Sequence, residues 1–438
     1  MFIELPAQRP TAAAESASAR LRERLAAARV QTDALLACVR PEFLYERPIA
    51  ERHRLAFYIG HLEAFDRNLL AEVARERSPD GELDRLFAFG IDPIDGGLPQ
   101  DTPADWPRLP QIQAYRDRVR HSLDTLLGSR EVATPRVRQL LHAAIEHRLM
   151  HAETLAYLLH QLPFAHKRGQ DPAPLLETAP PEPGTIPIAR GTAVLGLRDA
   201  DEFGWDNERP ALDVDVAAFE IDRYKVSNRQ FLRFVEHGGY DERALWSDAD
   251  WAWRQSQHVE HPAFWIRDGK RWQWKSMFSA TPLPLDAPVY VSHAEASAYA
   301  RWVGRRLPSE AQWQRAAFGD AAHDPSAAQL REPDARFDPL PVHAPGLVPS
   351  ASGAVGLRAN GWEWTRTPFA ALPGFVPFDF YSGYSAPFFD QRHFVLKGGS
   401  PRTAACLLRP SFRNWFQPHY PYAYAGFRLV DGDEGEGP

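Results

Sequence analysis

A proline-rich segment separates two parts of the chain that differ in their apolar periodicity. Residues 163–187 read PFAHKRGQDPAPLLETAPPEPGTIP. Before this segment, long stretches without proline place apolar residues at i, i+3, i+4 and i+7, which predicts amphipathic helices. After it, apolar stretches are short, and glycine and tryptophan are frequent. A chain of 438 residues is long enough for two or three domains, so we expect two different folds joined by a linker.

The helical part predicts an antiparallel four-helix bundle, and the second part predicts an α+β domain with much irregular structure. In the second part, Ser227, Ser292 and Ser309 each precede a helical pattern and are expected to cap it. The long connection 89–110 is expected to have a function of its own. The expected organisation is a disordered N-terminus (1–18), the bundle (19–165), the linker (166–187), the α+β domain (188–431) and a disordered acidic tail (432–438).

Composition argues against several classes of protein. The net charge of −7 gives no basic field for nucleic acid or an anionic membrane. No apolar stretch approaches the roughly 18 residues of a membrane span, and the N-terminus lacks the apolar region of a secretory signal, so we expect a cytoplasmic protein. The two cysteines, Cys38 and Cys406, cannot form a disulfide framework, and no glycine-rich nucleotide loop is present.

The strongest pattern for chemistry is the segment EHRLMHAE. His147 and His151 are four residues apart and therefore share one helix face, a spacing that suits two imidazole ligands of one metal ion. His61 on an earlier helix could supply a third ligand across the bundle. Spacing alone leaves open that the pair is an ordinary feature of a chain with 16 histidines. The other polar residues considered, which we expect to be solvated, helix-terminal or supporting, are His53, His142, His160 and Glu153.

Motifs along most of the chain resemble those of one family. IGHLEAF and IEHRLMHAETLAYLLHQLP resemble the DinB-like domain of the EgtB family of ergothioneine-type sulfoxide synthases. FGWDNERP, FEIDRYKVSNRQFLRFVEHGGY, NGWEWT, FVLKGGS and RNWFQPHYPYAYAGFRL resemble the formylglycine-generating-enzyme (FGE, sulfatase-modifying factor) domain that EgtB proteins carry. The resemblance implies a DinB-like bundle followed by a C-type-lectin-like α+β domain, with an active site between them. FGE enzymes need a cysteine pair, and only Cys406 is present here, so the domain is expected to serve as a scaffold.

The resemblance also implies roles for individual residues. Fe(II) would be held by His61, His147 and His151, and O2 and hercynine would be substrates. Asn414 and Trp415 would lie against the trimethylammonium group of hercynine, which suits recognition by aromatic faces. Tyr381 would donate a proton or hydrogen atom, with Tyr384 as its supporting neighbour. Taken without the motif, these aromatic residues could equally be ordinary core or loop residues.

The chain departs from the EgtB pattern where that family binds its charged thiol donor. Phe416 and Tyr420 stand in place of an Asp and an Arg, and Met150 replaces a Gln. Aromatic and hydroxyl groups suit a neutral, polyhydroxylated ligand, so we expect the selenoneine synthase (SenA) branch of the family and a selenosugar donor. The alternatives are a thiol donor, cysteine or γ-glutamylcysteine, and a zinc or non-catalytic binding protein. The segment from Asp92 to Asp105 could supply hydroxyl-binding carboxylates or be a plain connection.

Overall fold

The computed structural model describes residues 12–74, 80–88, 98–128, 134–171, 180–198, 202–320 and 336–431. It separates into two compact units that divide between Gly169 and Gln170. The predicted disordered tail, residues 432–438, lies outside the described residues, as does the stretch 89–97 of the long connection.

In its described residues, the first unit has four long α-helices and one short α-helix, which confirms the predicted bundle. The helices are α1 (Ala12–Ala37), α2 (Leu55–Ala74), α3 (Gly81–Leu86), α4 (Leu109–Gly128) and α5 (Pro135–Gln161). α1 packs against α5, and α2 packs against both α4 and α5. α1 begins at Ala12, so part of the segment expected to be disordered is helical.

The fifth helix is the central element of the bundle. It begins at a Thr134 cap, whose side chain accepts a hydrogen bond from Val137 N, with Pro135 at the first helical position. From Ala143 to Leu149, and again from His151 to His160, every residue is buried. Polar side chains in this stretch cannot reach water, so they must find partners inside the protein.

The second unit is an α+β fold with four small sheets, as predicted for the fold class. Its strands are β1 (Thr185–Ile188), β2 (Gly191–Leu195), β3 (Leu212–Val216), β4 (Phe219–Asp222), β5 (Trp265–Asp268), β6 (Arg271–Lys275), β7 (Ala280–Pro282), β8 (Gly361–Pro368), β9 (Phe394–Gly399), β10 (Asn414–Phe416), β11 (Ala425–Gly426) and β12 (Val430–Asp431). Its helices are α6 (Asn228–Glu236), α7 (Asp248–Ser256), α8 (His293–Trp302) and α9 (Glu310–Phe318). The sheets have the strand orders β1-β4-β12, β10-β9-β8-β11, β2-β3 and β5-β6-β7.

Local sequence accounts for the helix starts in this unit. Ser227, Ser292 and Ser309 cap α6, α8 and α9 as predicted, and each accepts a hydrogen bond from the backbone N–H three residues later. In each case a Glu or Gln at that third position bonds back to the serine N–H. These capping boxes fix where the helices begin.

The sheet that includes β10 positions the C-terminal motif. β10 pairs antiparallel with β9, so that Asn414 lies opposite Leu396 and Phe416 opposite Phe394. β9 in turn pairs with β8, whose Trp364 is fully buried. The motif residues are thus held on an edge strand of a sheet whose centre is part of the core. Among the described residues, no helix is long and apolar enough to cross a membrane.

Candidate functional site

Three buried histidines converge in the helical unit. His61 on α2 and His147 and His151 on α5 each place one nitrogen within a group whose atoms all lie within 4.8 Å of one another. The Nε2 atom of His151 lies 3.2 Å from Nε2 of His61 and 3.1 Å from Nε2 of His147. The three side chains predicted as metal ligands are therefore brought together by the packing of α2 on α5.

Burial keeps these imidazoles neutral. Desolvation lowers the pKa of His61 to about 4, and it lowers the pKa of His147 and His151 well below the usual value for histidine. Neighbouring cationic groups, Arg148 among them, contribute in the same direction. At neutral pH each ring therefore carries a lone pair for a metal ion, which is the protonation state that ligation requires.

The backbone of Phe87 fixes the tautomer of His61. His61 Nδ1 donates a hydrogen bond to the Phe87 carbonyl oxygen at 2.8 Å. Because a carbonyl only accepts, the proton is on Nδ1, and the Nε2 lone pair faces the other two histidines. Gly60 leaves the space that Phe87 needs to approach α2, because a Cβ at that position would lie 2.5 Å from atoms of the Phe87 ring. The glycine before His61 is explained by this close approach.

The donor set fits a metal ion. Nitrogen ligands bind ions such as Zn²⁺ at about 2.0–2.1 Å, so two of them at angles of 90–110° stand roughly 2.9–3.4 Å apart. The observed separations of 3.1 and 3.2 Å lie within that range. The Nδ1 atoms of His147 and His151 are buried and have no hydrogen-bond partner among the described residues. All-imidazole ligation suits Fe, Zn, Cu or Ni, so geometry alone does not select the metal.

Aromatic rings surround the three histidines. Phe65 stacks on His147 with ring centroids 3.4 Å apart, and Phe57 stacks on His61 at 4.7 Å. The ring of Tyr58 lies 5.8 Å from that of His151. These contacts restrict ring rotation and exclude water from the sides of the site.

A buried ion network, which the sequence reasoning missed, links the two helices that carry the histidines. Arg148, next to His147, donates to Asp66 at 2.6 Å and to both carboxylate oxygens of Glu63 at 3.1 Å. All three side chains are 0% exposed. Arg120 on α4 joins Glu63 at 2.8 Å and Asp33 at 2.6 Å, so the network reaches all four long helices. A register shift of α2 against α5 would break it.

The two fully buried carboxyl groups of this network, Glu63 and Asp66, differ in the direction of their pKa shift. Burial alone would raise the pKa of Glu63, but the guanidinium groups of Arg148 and Arg120 hold it below its usual value. For Asp66 burial prevails and its pKa is raised, even though Arg148 opposes the shift. Removing Arg148 would leave both carboxyl groups in the core without their main counter-charge.

The other residues considered lie outside the converging group. His53 is half-buried against Phe57 with ring centroids 4.1 Å apart, and so is not simply solvated as expected. His142 is half-buried. His160 is fully buried and Glu153 is buried.

The described part of the long connection is tied down by its own carboxylates. Asp101 binds Arg47 and Arg54, and it accepts a hydrogen bond from Trp106 Nε1 at 2.7 Å. Asp105 accepts from both the backbone and the hydroxyl of Thr102. Both carboxylates are engaged in folding the segment, which weakens their prediction as ligand-binding groups; Asp92 lies outside the described residues.

In the second unit, Trp415 is surrounded by three aromatic rings. Phe369 stacks on its indole at 4.3 Å, and Tyr384 and Phe388 lie at 5.4 and 5.5 Å. Trp415 itself is only half-buried. Asn414 Oδ1 accepts a hydrogen bond from Trp415 N at 2.9 Å, which orients the amide so that its NH2 group remains a donor. Phe369 and Phe388 were not predicted, because they join this cluster only through the fold.

Tyr381 and Tyr384 lie in one turn with ring centroids 5.6 Å apart. Tyr384 is buried and stacks on the fully buried Trp205 at 4.0 Å, and Tyr381 is half-buried. Tyr384 therefore contacts Trp415 directly, whereas Tyr381 contacts Tyr384.

Phe416 and Tyr420 face each other. Their rings are parallel within 1° and their centroids are 5.0 Å apart. Tyr420 is buried and packs edge-on against Tyr422 at 5.3 Å. The two positions predicted to contact the donor thus form one uncharged pair. Cys406 is half-buried and is not in a disulfide.

Comparison with known proteins agrees with this two-unit organisation. Residues 172–432 match the sulfatase-modifying factor enzyme 1-like domain family, and residues 24–155 match the DinB superfamily. A hercynine oxygenase of Mycolicibacterium thermoresistibile is 39% identical over 65% of this chain and 67% of its own length. A hercynine oxygenase of Mycolicibacterium smegmatis is 36% identical over 65% of this chain and 70% of its own length. A hercynine oxygenase of Mycobacterium tuberculosis is 39% identical over 54% of this chain and 58% of its own length.

Proposed function

Because the chain belongs to the EgtB-like hercynine oxygenase family, in which a DinB-type unit precedes a sulfatase-modifying factor enzyme 1-like unit, we propose that it is an O2-dependent, non-haem iron enzyme. Its reaction would join a chalcogen donor to the imidazole of hercynine, the trimethylammonium betaine of histidine. The first candidate for this donor is a thiol. The observation that carries the proposal is the buried group of His61, His147 and His151. The relatives named above support hercynine as the substrate.

The three histidines would hold a ferrous ion, which would supply O2 activation and the redox chemistry of the reaction when bound. The neutral imidazoles add no charge to that of the ion, and three ligands leave room for other molecules beside it. Phe87 holds His61 in the required tautomer, and the Arg148 network holds α2 and α5 in register. These residues prepare the ligand set in the protein itself.

The aromatic cluster around Trp415 supports a role in binding the betaine. A quaternary ammonium group has no N–H donor, so aromatic faces and exclusion of water recognise it. Phe369 covers one face of Trp415, and Tyr384 and Phe388 flank the indole. The NH2 group of Asn414 could donate to the betaine carboxylate, which would orient the substrate from its other end.

We assign the proton-donating role to Tyr381, with Tyr384 as its support. The stacking of Tyr384 on Trp205 holds the turn in place, and Tyr381, which is half-buried, can reach a substrate. A phenol at this position would donate its proton to an oxygen atom of the reacting species.

The stacked pair of Phe416 and Tyr420 favours a donor without charged ends. Desolvating a carboxylate or ammonium group against two aromatic rings would leave the charge without a partner. Cysteine and γ-glutamylcysteine carry such charges, whereas a sugar does not. This pair therefore supports a second candidate function, in which the donor is a selenosugar and the product has a C–Se bond. The names of the three relatives give no support to selenium specifically.

The test is a donor comparison on iron-reconstituted protein. The protein is loaded with Fe(II) without oxygen, mixed with hercynine and then exposed to O2 together with cysteine, γ-glutamylcysteine or a selenoglucose. Mass spectrometry then identifies the product. A hercynyl-sulfur product would support the first candidate, and a hercynyl-selenium product formed only from the selenosugar would support the second. No product from any donor would refute both. A zinc-loaded sample is the metal control and should be inactive.

A further inference from the structure

An Asp–His pair that has no part in the site described above includes the residue that directly precedes Tyr420 in the chain. His419 Nε2 donates to Asp250 Oδ1 at 2.8 Å. The carboxylate therefore fixes the ring in the tautomer with its proton on Nε2 and its lone pair on Nδ1. His419 Nδ1 makes no hydrogen bond to another described residue, and the side chain is 29% exposed. The lone pair is thus available to a ligand.

The surroundings of Asp250 keep it ionised. It lies in the first turn of α7, and the hydroxyl of the Ser247 cap donates to its Oδ2 at 2.6 Å. Burial alone would raise the pKa of Asp250, but hydrogen bonds from His419 and Ser247 hold it below the usual value. A carboxylate at this position stabilises positive charge that develops on His419.

The ring of His419 is also held by stacking. Trp253 lies parallel to it within 5°, with ring centroids 4.9 Å apart. The stacked indole holds the imidazole in place beside Asp250, and an indole face is a favourable neighbour for a cation. An imidazole with a fixed tautomer, a carboxylate on one nitrogen and an open lone pair on the other is the arrangement of a general base.

We propose that His419 is the proton acceptor for the sulfur donor in the reaction proposed above, on which this inference rests. His419 directly precedes Tyr420 in the chain, and the ring of Tyr420 stacks on Phe416. We therefore place the thiol donor between this ring pair and the imidazole. The thiol S–H bond breaks, the proton passes to His419 Nδ1, and the electron pair stays on sulfur. The resulting thiolate is the nucleophilic form of the donor, and only a few per cent of a free thiol is ionised at pH 7.

The groups that face His419 set the context for its proton transfer. Asp250 and Trp253, which contact His419 directly, both come from α7. His293, at the start of α8, interacts electrostatically with both Asp250 and His419. Burial lowers the pKa of His293 to about 4, so it is neutral where the reaction runs. The charge of Arg301 on α8 also lowers the pKa of His293.

The test compares His419→Gln and Asp250→Asn with the wild-type protein, all iron-loaded, using hercynine and a thiol donor at pH 7 and pH 9.5. His237→Gln is the matched control. His237 is exposed, its ring lies 5.8 Å from that of Trp302, and its Nδ1 bonds the backbone carbonyl of Arg233, with no carboxylate partner in the described part of the chain. We expect His419→Gln to lower kcat/KM about 100-fold at pH 7, in line with the loss of a general base. At pH 9.5, where a thiol with a pKa near 8.5 ionises unaided, the loss should shrink to a few-fold. Asp250→Asn should follow the same pattern with a smaller loss.

The outcomes separate this inference from the proposed function. An equal loss at both pH values would indicate a merely structural role and would overturn the inference, as would full activity of His419→Gln at pH 7. Product absent from the wild-type protein with every donor would overturn the proposed function and this inference with it. A loss that depends on pH in the variants and is absent from His237→Gln would support the inference.

Discussion

The carbonyl oxygen of Phe87 lies 2.8 Å from Nδ1 of His61 and accepts a hydrogen bond from this nitrogen. The contact depends on Gly60, over which the Phe87 ring packs. The Phe87 carbonyl and the space left by Gly60 thus determine which nitrogen of His61 faces His147 and His151. The three candidate metal ligands are therefore arranged by packing within the helical unit.

Gly60→Ala should weaken metal binding by displacing Phe87. The added Cβ would lie 2.5 Å from the ring, so the ring or the helix must move, at a cost of about 1–3 kcal/mol in stability. His61 would lose its fixed tautomer, and affinity should fall about 10-fold or more, as for other supporting contacts of metal ligands. Anaerobic titration with Co²⁺, followed in the visible spectrum, measures this change.

Gly128→Ala is the matched control for that variant. Gly128 also lies in a helix, and beyond its chain neighbours and its own helix backbone no atom of the described residues lies within 4 Å of the position of an added Cβ. Its metal affinity should equal that of the wild-type protein. Equal affinities for Gly60→Ala and the wild type would refute the role given to the Phe87 contact.

Arg148→Met should strongly destabilise the helical unit. It leaves the buried Asp66 without its guanidinium partner and the buried Glu63 with Arg120 alone. Breaking a buried pair in this way costs about 3–5 kcal/mol. Urea unfolding measures the change. Arg190→Met removes an exposed pair with Asp215 and should leave the midpoint unchanged; equal effects of the two substitutions would contradict the account.

How far the sequence could predict this site depends on how far apart in the chain the interacting residues lie. The i, i+4 spacing of His147 and His151 is local helix geometry, so a shared face could be predicted. The place of His61 depends on how α2 packs on α5. Bundle topology could only suggest His61 as a third ligand, and the resemblance to a known family supported that choice. The Arg148 network was missed because charged residues on a periodic helix are usually solvated. The apolar residues four and three positions before Arg148 and one and four positions after it, Ala144, Ile145, Leu149 and Ala152, were the pattern that could have revealed it.

Lys397→Met should change how stability depends on pH. Burial lowers the pKa of Lys397 to about 8, while an unfolded lysine titrates near 10.4. Between these values the unfolded chain binds the extra proton, so this lysine makes the wild-type protein more stable as pH rises, by roughly 2–3 kcal/mol. The neutral amine can still donate to the carbonyls of Pro410 and Phe412.

The measurement for this prediction is urea unfolding at pH 7.5 and pH 10. The difference between wild type and Lys397→Met should grow in favour of the wild type at the higher pH. Lys270→Met, at an exposed lysine, is the control and should show no such change. A constant difference for Lys397→Met would show that the buried amine has no lowered pKa.

The double variant Phe416→Asp with Tyr420→Arg should shift donor choice toward charged thiols. The two rings are stacked 5.0 Å apart, so the new side chains would be close enough to pair with each other or with the two ends of a dipeptide. We expect the ratio of kcat/KM for γ-glutamylcysteine to that for a neutral donor to rise at least 10-fold. Phe416→Asp alone should lose activity with every donor, because its carboxylate lacks a partner. An unchanged ratio would mean that these positions do not contact the donor.

The second unit shows where prediction from sequence reaches its limit. Ser227, Ser292 and Ser309 cap their helices as predicted, because capping depends on three consecutive positions. The surroundings of Trp415 could not be predicted, because Phe369, Tyr384 and Phe388 lie between 27 and 46 residues from it in sequence and meet it only through the β8–β9–β10 sheet and its connecting turns. A motif can identify such a residue, but the ring partners come from the fold.

The most direct test of the central claim is hercynine-dependent O2 uptake by the iron-loaded protein and by His147→Ala, with His142→Ala as a control on the same helix. The account predicts that the wild type consumes O2 only when hercynine and a donor are both present. It predicts that His147→Ala loses both iron and O2 uptake and that His142→Ala retains them. Equal uptake by His147→Ala and the wild type, or no hercynine-dependent uptake by the wild type, would contradict it.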